Sequence, residues 1–188
     1  MINDIHFEIF PYLESERLIF RAFNLNDAKD ILHLRSNDKV MDYMDSEPHR
    51  TIKDAENFIS KNFDSYNNKE GLFWVIIEKS ENKFIGDFAF WNIIRENHRA
   101  EIGYTLKPQF WGKGYMTETL TQLIKFGFND LNLHSFEAEI NPKNINSEKV
   151  LIKMGFKKEA HFKENRYFNG KYLDSEIYSL LEKDFRYK

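Results

Sequence analysis

Residues 99–126, with the sequence RAEIGYTLKPQFWGKGYMTETLTQLIKF, constrain the fold more than any other stretch of the chain. Polar and apolar residues alternate over positions 101–107, which predicts a strand. Pro108 ends that strand because it lacks a backbone donor. Gly112 and Gly114 follow within a few residues. The stretch therefore predicts a strand that enters a glycine turn.

The glycine turn leads into a predicted helix that opens at Thr117 or a neighbouring residue. Leu120, Leu123 and Ile124 then fall near one helical face. Such a turn points several unpaired backbone N–H groups, and the positive end of the helix dipole, at one spot. A phosphate group is the ligand that suits this arrangement.

Three phosphate-binding motifs compete for a glycine-rich turn of this kind. The P-loop pattern fails because Lys113 precedes the second glycine and is followed by Gly114 rather than by Ser or Thr. The dinucleotide pattern G-x-G-x-x-G fails because Thr117 stands where the third glycine is required. The pattern that fits is Q-x-x-G-x-G, from Gln109 to Gly114. Taken alone, this hexapeptide is equally consistent with a simple strand-to-helix turn.

The length and charge of the chain limit its class. The chain has 188 residues, a length that suits a single domain spanning positions 1–188. The net charge is −3 and no basic block is present, so we expect no nucleic-acid partner. No apolar run reaches the length of about 18 residues that a membrane span needs, and no secretory signal is visible. We therefore expect a cytoplasmic protein without a membrane partner.

The residue types present also limit the chemistry. The sequence contains no cysteine, which excludes a disulfide within the chain and a thiolate nucleophile. Its six histidines show no metal-ligand spacing and no H-E-x-x-H motif, so we expect no metal. No G-x-S-x-G motif supports a serine hydrolase.

The rest of the chain predicts alternating strands and helices. The predicted strands are residues 16–23, 72–77, 84–91, 134–140 and 172–181, the last following an Asn169-Gly170 hairpin turn. The strand at 134–140 follows a helix in the same sense as the central strand, so the two are predicted to be parallel neighbours. The predicted helices open at Asn24 or Asn26, at Thr51 and near Ser147, with Gly155 as the C-cap of the last. The inner stripe predicted for the Thr51 helix is Ile52, Ala55, Phe58 or Ile59, and Phe63.

Residues 37–50 are predicted to form a polar connection between helices. A solvated loop is one interpretation. The other is an acidic rim, formed by Asp42, Asp45 and Glu47, that attracts a protonated amine.

Three separated strings of the sequence resemble the GNAT acetyltransferases, and in particular the RimJ/RimL branch named for N-terminal acetylation of ribosomal proteins. The strings are GYTLKPQFWGKGYMTE around the glycine turn, ESERLIFRAFNLNDAKDILHL near the start, and N-P-x-N-x-x-S-x-x-V-L-x-K-M-G-F from position 141. The resemblance runs from about residue 14 to residue 181. It implies an α+β fold, GNAT-like, with a central, mostly antiparallel twisted sheet, a splayed parallel strand pair and helices on both faces.

The resemblance further implies acetyl-coenzyme A as co-substrate, with the pantetheine arm lying between the splayed strands. Backbone groups of three residues of the central strand would pair with the pantetheine amides, namely Tyr104, Thr105 and Leu106. Residues of the motif and the helix start would hold the pyrophosphate, namely Gln109, Gly112, Lys113, Gly114, Tyr115, Met116 and Thr117. Glycine suits positions 112 and 114 because a Cβ would obstruct the approach of the backbone to phosphate.

Asn144 and Ser147 resemble the second cofactor contact of the family, on the other side of the gap. The position of Asn144 is explained equally well by a helix N-cap. For Ser147, simple cofactor contact is one role, and protonation of the departing thiolate is the other.

Acyl transfer to an amine requires a neutral amine, a polarised carbonyl and a stabilised thiolate. Because the chain has no cysteine, direct attack in a ternary complex is the expected mechanism. Glu101, on the central strand, is the first candidate for the base, and Glu159 is the second. A strand glutamate with only a hydrogen-bonding role is the alternative for Glu101.

The sequence leaves three functions open. The first is N-acetylation of the α-amino group of a protein, and the second is the same reaction on an amino acid, polyamine or antibiotic. The third is a non-catalytic acetyl-CoA-binding module, against which Glu101 and the intact motif argue. The sequence is also compatible with either a monomer or a homodimer.

Overall fold

A computed structural model describes residues 1–186, which form one mixed sheet of eight strands with helices packed against it. The strands are β1 (Leu13–Glu14), β2 (Leu18–Ala22), β3 (Leu72–Glu78), β4 (Lys83–Ile94), β5 (Arg99–Leu106), β6 (Ser135–Ile140), β7 (Lys157–Phe168) and β8 (Lys171–Leu181). The helices are α1 (Ala28–Arg35), α2 (Asp38–Met41), α3 (Ile52–Asn67), α4 (Tyr115–Asn129) and α5 (Ile145–Met154). The strand order is β1-β2-β3-β4-β5-β6-β8-β7.

Strands β5 and β6 are the parallel pair of an otherwise antiparallel sheet, within the part of the chain described. Their pairing covers Arg99–Glu101 of β5 against Ser135–Glu137 of β6 and goes no further. Beyond this point β5 stays paired with β4 as far as Leu106, and β6 stays paired with β8 as far as Ile140. The two strands therefore separate after Glu101, as predicted.

Helices cover both faces of the sheet because successive strand residues point to opposite sides. In β3, Trp74 and Ile76 belong to the core that contains the apolar residues of α4. Val75 and Ile77 belong to the second core, formed with α1 and α3. The predicted fold class, with a mostly antiparallel sheet and helices on both faces, is confirmed.

Helix α4 begins at Tyr115, so a neighbour of Thr117 opens it. Asn24, and not Asn26, accepts the capping hydrogen bond, and it caps a 3-10 turn over Leu25–Asp27 that runs into α1. At the last hairpin, Asn169 and Gly170 both have positive φ, 48° and 78°, which fits the predicted turn between β7 and β8.

Two predictions about the first helices were wrong. Residues 37–50 are not a continuous loop, because α2 forms there and buries Val40 and Met41. In α3 the predicted inner residues Ile52 and Phe63 are each 38% exposed. Ala55 and Ile59 face the core as predicted, and the third buried residue of the stripe is Asn62, so the three recur at intervals of four and three residues.

Candidate active site

The gap between the separating strands is bordered by β5 on one side and α5 on the other. Tyr104 of β5 points toward α5, and its hydroxyl lies 2.6 Å from the Ser147 Oγ. Burial raises the pKa of Tyr104 to about 12, although the hydrogen bond with Ser147 acts in the opposite direction. Tyr104 therefore stays protonated at neutral pH, and the two hydroxyls can share or pass a proton.

Residues Gln109–Gly114, here called the glycine loop, carry the chain from β5 into α4. Gly112 and Gly114 have φ values of 72° and 81°, a conformation that residues with a Cβ adopt at a cost. Gly114 is also the N-cap of α4 and offers no capping side chain. The first-turn N–H groups of α4 are therefore left for an external acceptor.

The glycine loop fits the diphosphate of a coenzyme A. Residues 111–114 are exposed, and an added Cβ at Gly112 would meet no atom within 4 Å. The space over the loop is therefore open to a ligand. Positive φ, and not crowding within the chain, explains why glycine suits position 112.

Helix α5 is capped by Asn144, whose side-chain oxygen accepts a hydrogen bond from the Ser147 N–H at 3.1 Å. Asn144 is thus an N-cap, as one of the two interpretations held, and its amide nitrogen remains for another contact. The same cap fixes the first turn of α5, which holds the buried Ser147 beside Tyr104.

Glu101 lies on the face of the sheet opposite to Tyr104. Its neighbours Ala100 and Ile102 are buried in the core that α4 covers, so the intervening side chain points the other way. Burial raises the pKa of Glu101 to about 7, with further contributions from the carboxylates of Glu137 and Glu139. A hydrogen bond from Asn92 acts in the opposite direction. A carboxyl group with this pKa can take up or release a proton at neutral pH.

Glu101, Glu137 and Glu139 form what we call the acidic face, because Glu137 pairs with Glu101 across β5 and β6 and Glu139 is two residues further on. Arg99 pairs with Glu137, and Arg166 of β7 holds Glu139 through two hydrogen bonds of 2.8 Å. Glu101 has no such cationic partner among residues 1–186. It lines a cavity of about 280 Å³ together with Arg99, Glu137 and Asn92.

Comparison with known sequences assigns residues 17–157 to the family described as "Acetyltransferase (GNAT) domain". "Uncharacterized N-acetyltransferase YoaA" of Bacillus subtilis (strain 168) is 33% identical over 174 residues, which is 93% of this chain and 98% of the relative. The chain belongs to the GNAT acetyltransferase family.

Two other relatives of this GNAT protein have a named acceptor. The "Spermidine N(1)-acetyltransferase" of Vibrio cholerae is 25% identical over 171 residues, covering 91% of this chain and 96% of the relative. The "[Ribosomal protein uS5]-alanine N-acetyltransferase" of Escherichia coli (strain K12) is 28% identical over 115 residues, covering 61% of this chain and 59% of the relative.

Solved structures give the same assignment. A GNAT acetyltransferase from Bacillus anthracis superimposes with a TM-score of 0.82 at 29% identity, over 92% of this chain and 99% of that one. The acetyltransferase MccE, solved with acetyl-CoA and AMP, superimposes with a TM-score of 0.80 at 26% identity, over 89% of this chain and 93% of that one. The predicted acetyl-CoA-dependent N-acetyltransferase activity, with acetyl-CoA as co-substrate, is confirmed at the level of the family.

Several predicted site residues of the GNAT domain lie beside the gap between β5 and β6 or at the start of α4. Tyr104, Thr105 and Leu106 lie on the part of β5 that has separated from β6. The Leu106 carbonyl already accepts a hydrogen bond of 2.8 Å from the Trp111 indole, so one of its lone pairs is occupied. Tyr115, Met116 and Thr117 form the first turn of α4, in which the Met116 side chain is buried.

Other predicted residues lie further from the gap. Gln109 and Lys113 are exposed, and the Lys113 ammonium lies 5.8 Å from the centre of the Phe110 ring. Glu159 is exposed on β7, where it accepts a hydrogen bond of 2.5 Å from the Ser179 hydroxyl, three strand spacings beyond Glu101. That separation makes Glu101 the better candidate for the base.

Of the predicted acidic rim, Asp45 alone pairs with an arginine of the acidic face, Arg166, among residues 1–186. Its carboxylate lies 3.6 Å from Arg166. Glu47 pairs instead with Arg50 at 3.9 Å on the exposed surface, and Asp42 is exposed. Sequence reasoning missed Arg166 because it lies far along the chain, on a strand that only the fold brings to this face.

Glu137 and Glu139 could have been placed on one face from the sequence pattern of β6. They alternate with apolar residues on β6, the strand predicted to run parallel to β5, so their side chains share one face. Arg17 was likewise part of the E-R-L string but was assigned no role, although it contacts the glycine loop. Among residues 1–186 no group of metal-binding side chains and no helix able to span a membrane is found.

Proposed function

We propose that this protein transfers an acetyl group from acetyl-CoA to a primary amine by direct attack in a ternary complex. Glu101 first takes one proton from the ammonium. The nitrogen–carbon bond then forms as the carbon–sulfur bond breaks, and the nitrogen releases its second proton to water. The thiolate receives a proton from Ser147, which regains one from water through Tyr104. The observation that carries the proposal is the placement of these groups. A carboxyl of pKa about 7 and a pair of hydroxyls lie on opposite faces of β5, near the point where β5 and β6 separate.

Glu101 suits the role of base because its pKa is close to the working pH. A general base works best when it is largely deprotonated and still basic enough to take a proton. The open cavity beside it leaves room for a water molecule between the carboxylate and the amine. The amine binds in its protonated form and loses one proton to the deprotonated Glu101 carboxylate.

Ser147 suits the role of acid because it is buried and hydrogen-bonded to a second hydroxyl. Tyr104 keeps its proton at neutral pH, so it can donate to Ser147 when Ser147 gives its own proton to the sulfur. The N-cap formed by Asn144 fixes the position of Ser147. Asn144 also keeps an amide nitrogen available to the cofactor.

The acceptor is proposed to be cationic. The acidic face and Asp45 present four carboxylates against the guanidinium groups of Arg99 and Arg166. This charge attracts a protonated amine, whether it is the α-amino group of a protein or the amine of a polyamine. The relatives act on acceptors of both kinds, ribosomal protein uS5 in one and spermidine in the other.

Release of CoA from acetyl-CoA tests the proposal. Purified protein is given a panel that contains spermidine, free amino acids, and peptides with alanine or serine at the N-terminus. Direct attack predicts intersecting double-reciprocal plots, and the best acceptor identifies the class. Release of CoA with none of these amines, despite measurable acetyl-CoA binding, would favour a non-catalytic binding module.

Replacing Ser147 with alanine should lower kcat by about tenfold and leave the KM for acetyl-CoA within about a factor of three. The loss is modest for an acid catalyst because a thiolate leaves more easily than an alkoxide or an amine. The measurement is steady-state kinetics with the best acceptor.

Tyr104→Phe is the matched comparison for Ser147→Ala. If the two hydroxyls act as one relay, the double variant should be no slower than the slower single variant. An unchanged kcat in Ser147→Ala would assign this serine to simple cofactor contact.

A further inference from the structure

We propose that Arg17 is a cofactor-binding residue that holds the glycine loop with one part of its guanidinium and donates to the diphosphate with the other. Arg17 lies just before β2, three strands away from β5, yet its side chain contacts the glycine loop. Its Nη1 donates a hydrogen bond of 3.1 Å to the Lys113 carbonyl. The proposal goes beyond the acceptor and the mechanism proposed above, and it rests on acetyl-CoA as co-substrate.

The guanidinium of Arg17 is held in place from two sides. Its Nε donates to Glu118 of α4 at 2.7 Å, and its own backbone N–H donates to the other oxygen of that carboxylate at 2.8 Å. The guanidinium of Arg17 also lies over the Tyr115 ring, with its Cζ 4.3 Å from the ring centre. An arginine that is fixed in this way loses little further freedom when a ligand arrives.

Glu118 is itself fixed by several donors. It accepts from the Arg17 side chain and backbone and from the Ser15 hydroxyl at 2.7 Å. Burial acts to raise the pKa of Glu118, but these hydrogen bonds outweigh it and hold the pKa below its usual range. The carboxylate therefore stays charged and anchors Arg17 at the start of α4 at any pH where the enzyme works.

The third nitrogen of the Arg17 guanidinium, Nη2, is the one that faces the proposed diphosphate site at Gly114. It has no hydrogen-bond partner among residues 1–186, and it lies 3.5 Å from the place where a Cβ on Gly114 would stand. Gly114 is the N-cap whose helix leaves its first N–H groups to an external acceptor. A diphosphate over Gly114 would meet these N–H groups and a guanidinium together.

Lys113, the cationic residue within the glycine loop itself, is less suited to binding the diphosphate than Arg17. Lys113 is exposed, and no carboxylate among residues 1–186 pairs with its ammonium. A flexible lysine loses more side-chain entropy on binding than a guanidinium that is already fixed. We therefore expect Arg17 to contribute more to cofactor affinity than Lys113, although only Lys113 is part of the motif.

Calorimetric binding of three ligands to Arg17→Met tests the proposal. CoA carries the diphosphate and the 3′-phosphate, dephospho-CoA carries the diphosphate alone, and pantetheine carries neither. The dissociation constants for CoA and dephospho-CoA should each rise by at least about tenfold, because charge-assisted hydrogen bonds are the strong ones. The constant for pantetheine should stay within about twofold.

Arg21→Met is the matched control. Arg21 lies on β2, four residues after Arg17, and forms a bidentate ion pair with the Asp27 carboxylate through two hydrogen bonds of 2.8 Å. Its removal breaks an ion pair of similar kind away from the glycine loop, so all three dissociation constants should stay near those of the wild type. If Arg17→Met does not fold, Arg17→Lys replaces it and should show a smaller loss in the same two ligands.

The pattern across the ligands decides the outcome. An equal loss for pantetheine would mean that Arg17 only supports the fold, and a loss for CoA without one for dephospho-CoA would mean that it contacts the 3′-phosphate. Either result overturns the proposal. The ratio of variant to wild-type constants should also shrink as salt is raised, because added salt screens exposed charges.

Discussion

Glu101→Gln will lower kcat/KM by about 10²–10³ and make it nearly independent of pH around neutrality. The glutamine keeps the shape of the side chain and its hydrogen bond with Asn92 but accepts no proton. The loss is expected to fall on kcat, since the change leaves the cofactor gap on the other face of β5 untouched.

The direction in which wild-type kcat/KM changes with pH follows from the pKa of Glu101. The base must be deprotonated, and burial with the nearby carboxylates puts the pKa of Glu101 at about 7. Wild-type kcat/KM should therefore rise with pH, pass half its plateau near pH 7, and level off above it. The measurement is initial rate against pH with a fixed acceptor and low acetyl-CoA.

Glu137→Gln is the control for Glu101→Gln. It removes a neighbouring carboxylate that raises the pKa of Glu101 while leaving the base in place. The rise of kcat/KM should move to lower pH in this variant, with the plateau kept. A Glu101→Gln enzyme that still shows the wild-type pH profile would exclude Glu101 as the base.

Glu101→Gln should also make the protein more stable at alkaline pH. The folded state holds the Glu101 proton more tightly than the unfolded chain, whose carboxyl pKa is near 4.5. The stability that this carboxyl contributes is thus lost as pH rises from about 4.5 to about 7. Once solvent screening of a partly exposed group is allowed for, Glu101→Gln should gain about 1 kcal/mol at pH 8. That gain corresponds to a Tm higher by about 2–4 °C.

The parts of the site that sequence reasoning predicted are those set by neighbours along the chain. Gly112 and Gly114 reveal a backbone conformation, and the apolar spacing after them reveals a helix, because both are local properties. The parallel neighbours β5 and β6 followed from one helix joining two strands. Each of these inferences rests on one continuous stretch, residues 99–140 at the longest.

The parts that it missed depend on contacts between distant residues. Arg17 meets Glu118 across 101 positions, and Arg166 meets Glu139 across 27. A single sequence holds no signal for such pairs, because either charge could equally lie in solvent. In α3, likewise, Asn62 and not Phe63 is buried, since the angle at which the helix meets the sheet decides which residue turns inward.

Gly114→Val will remove measurable binding of acetyl-CoA, with a dissociation constant at least about 100-fold higher. Gly114 has a φ of 81°, which a β-branched residue avoids, so the backbone must rotate and turn its N–H groups away from the diphosphate. The new side chain would also stand beside Arg17 Nη2, at the place proposed for the phosphates.

Gly170→Val separates the loss of binding from the cost of strain. Gly170 has a φ of 78° and no atom within 4 Å of an added Cβ, so valine there meets the same backbone penalty at the tip of the last hairpin. Both variants should lose about 1–3 kcal/mol of stability. Acetyl-CoA at 100 times the wild-type dissociation constant should still stabilise Gly170→Val by about 2.7 kcal/mol, as it does the wild type, and should stabilise Gly114→Val by about 0.4 kcal/mol at most. Equal stabilisation of the two variants in thermal melts would mean that the glycine loop does not bind the cofactor, because then the backbone at Gly114 would serve only to turn the chain.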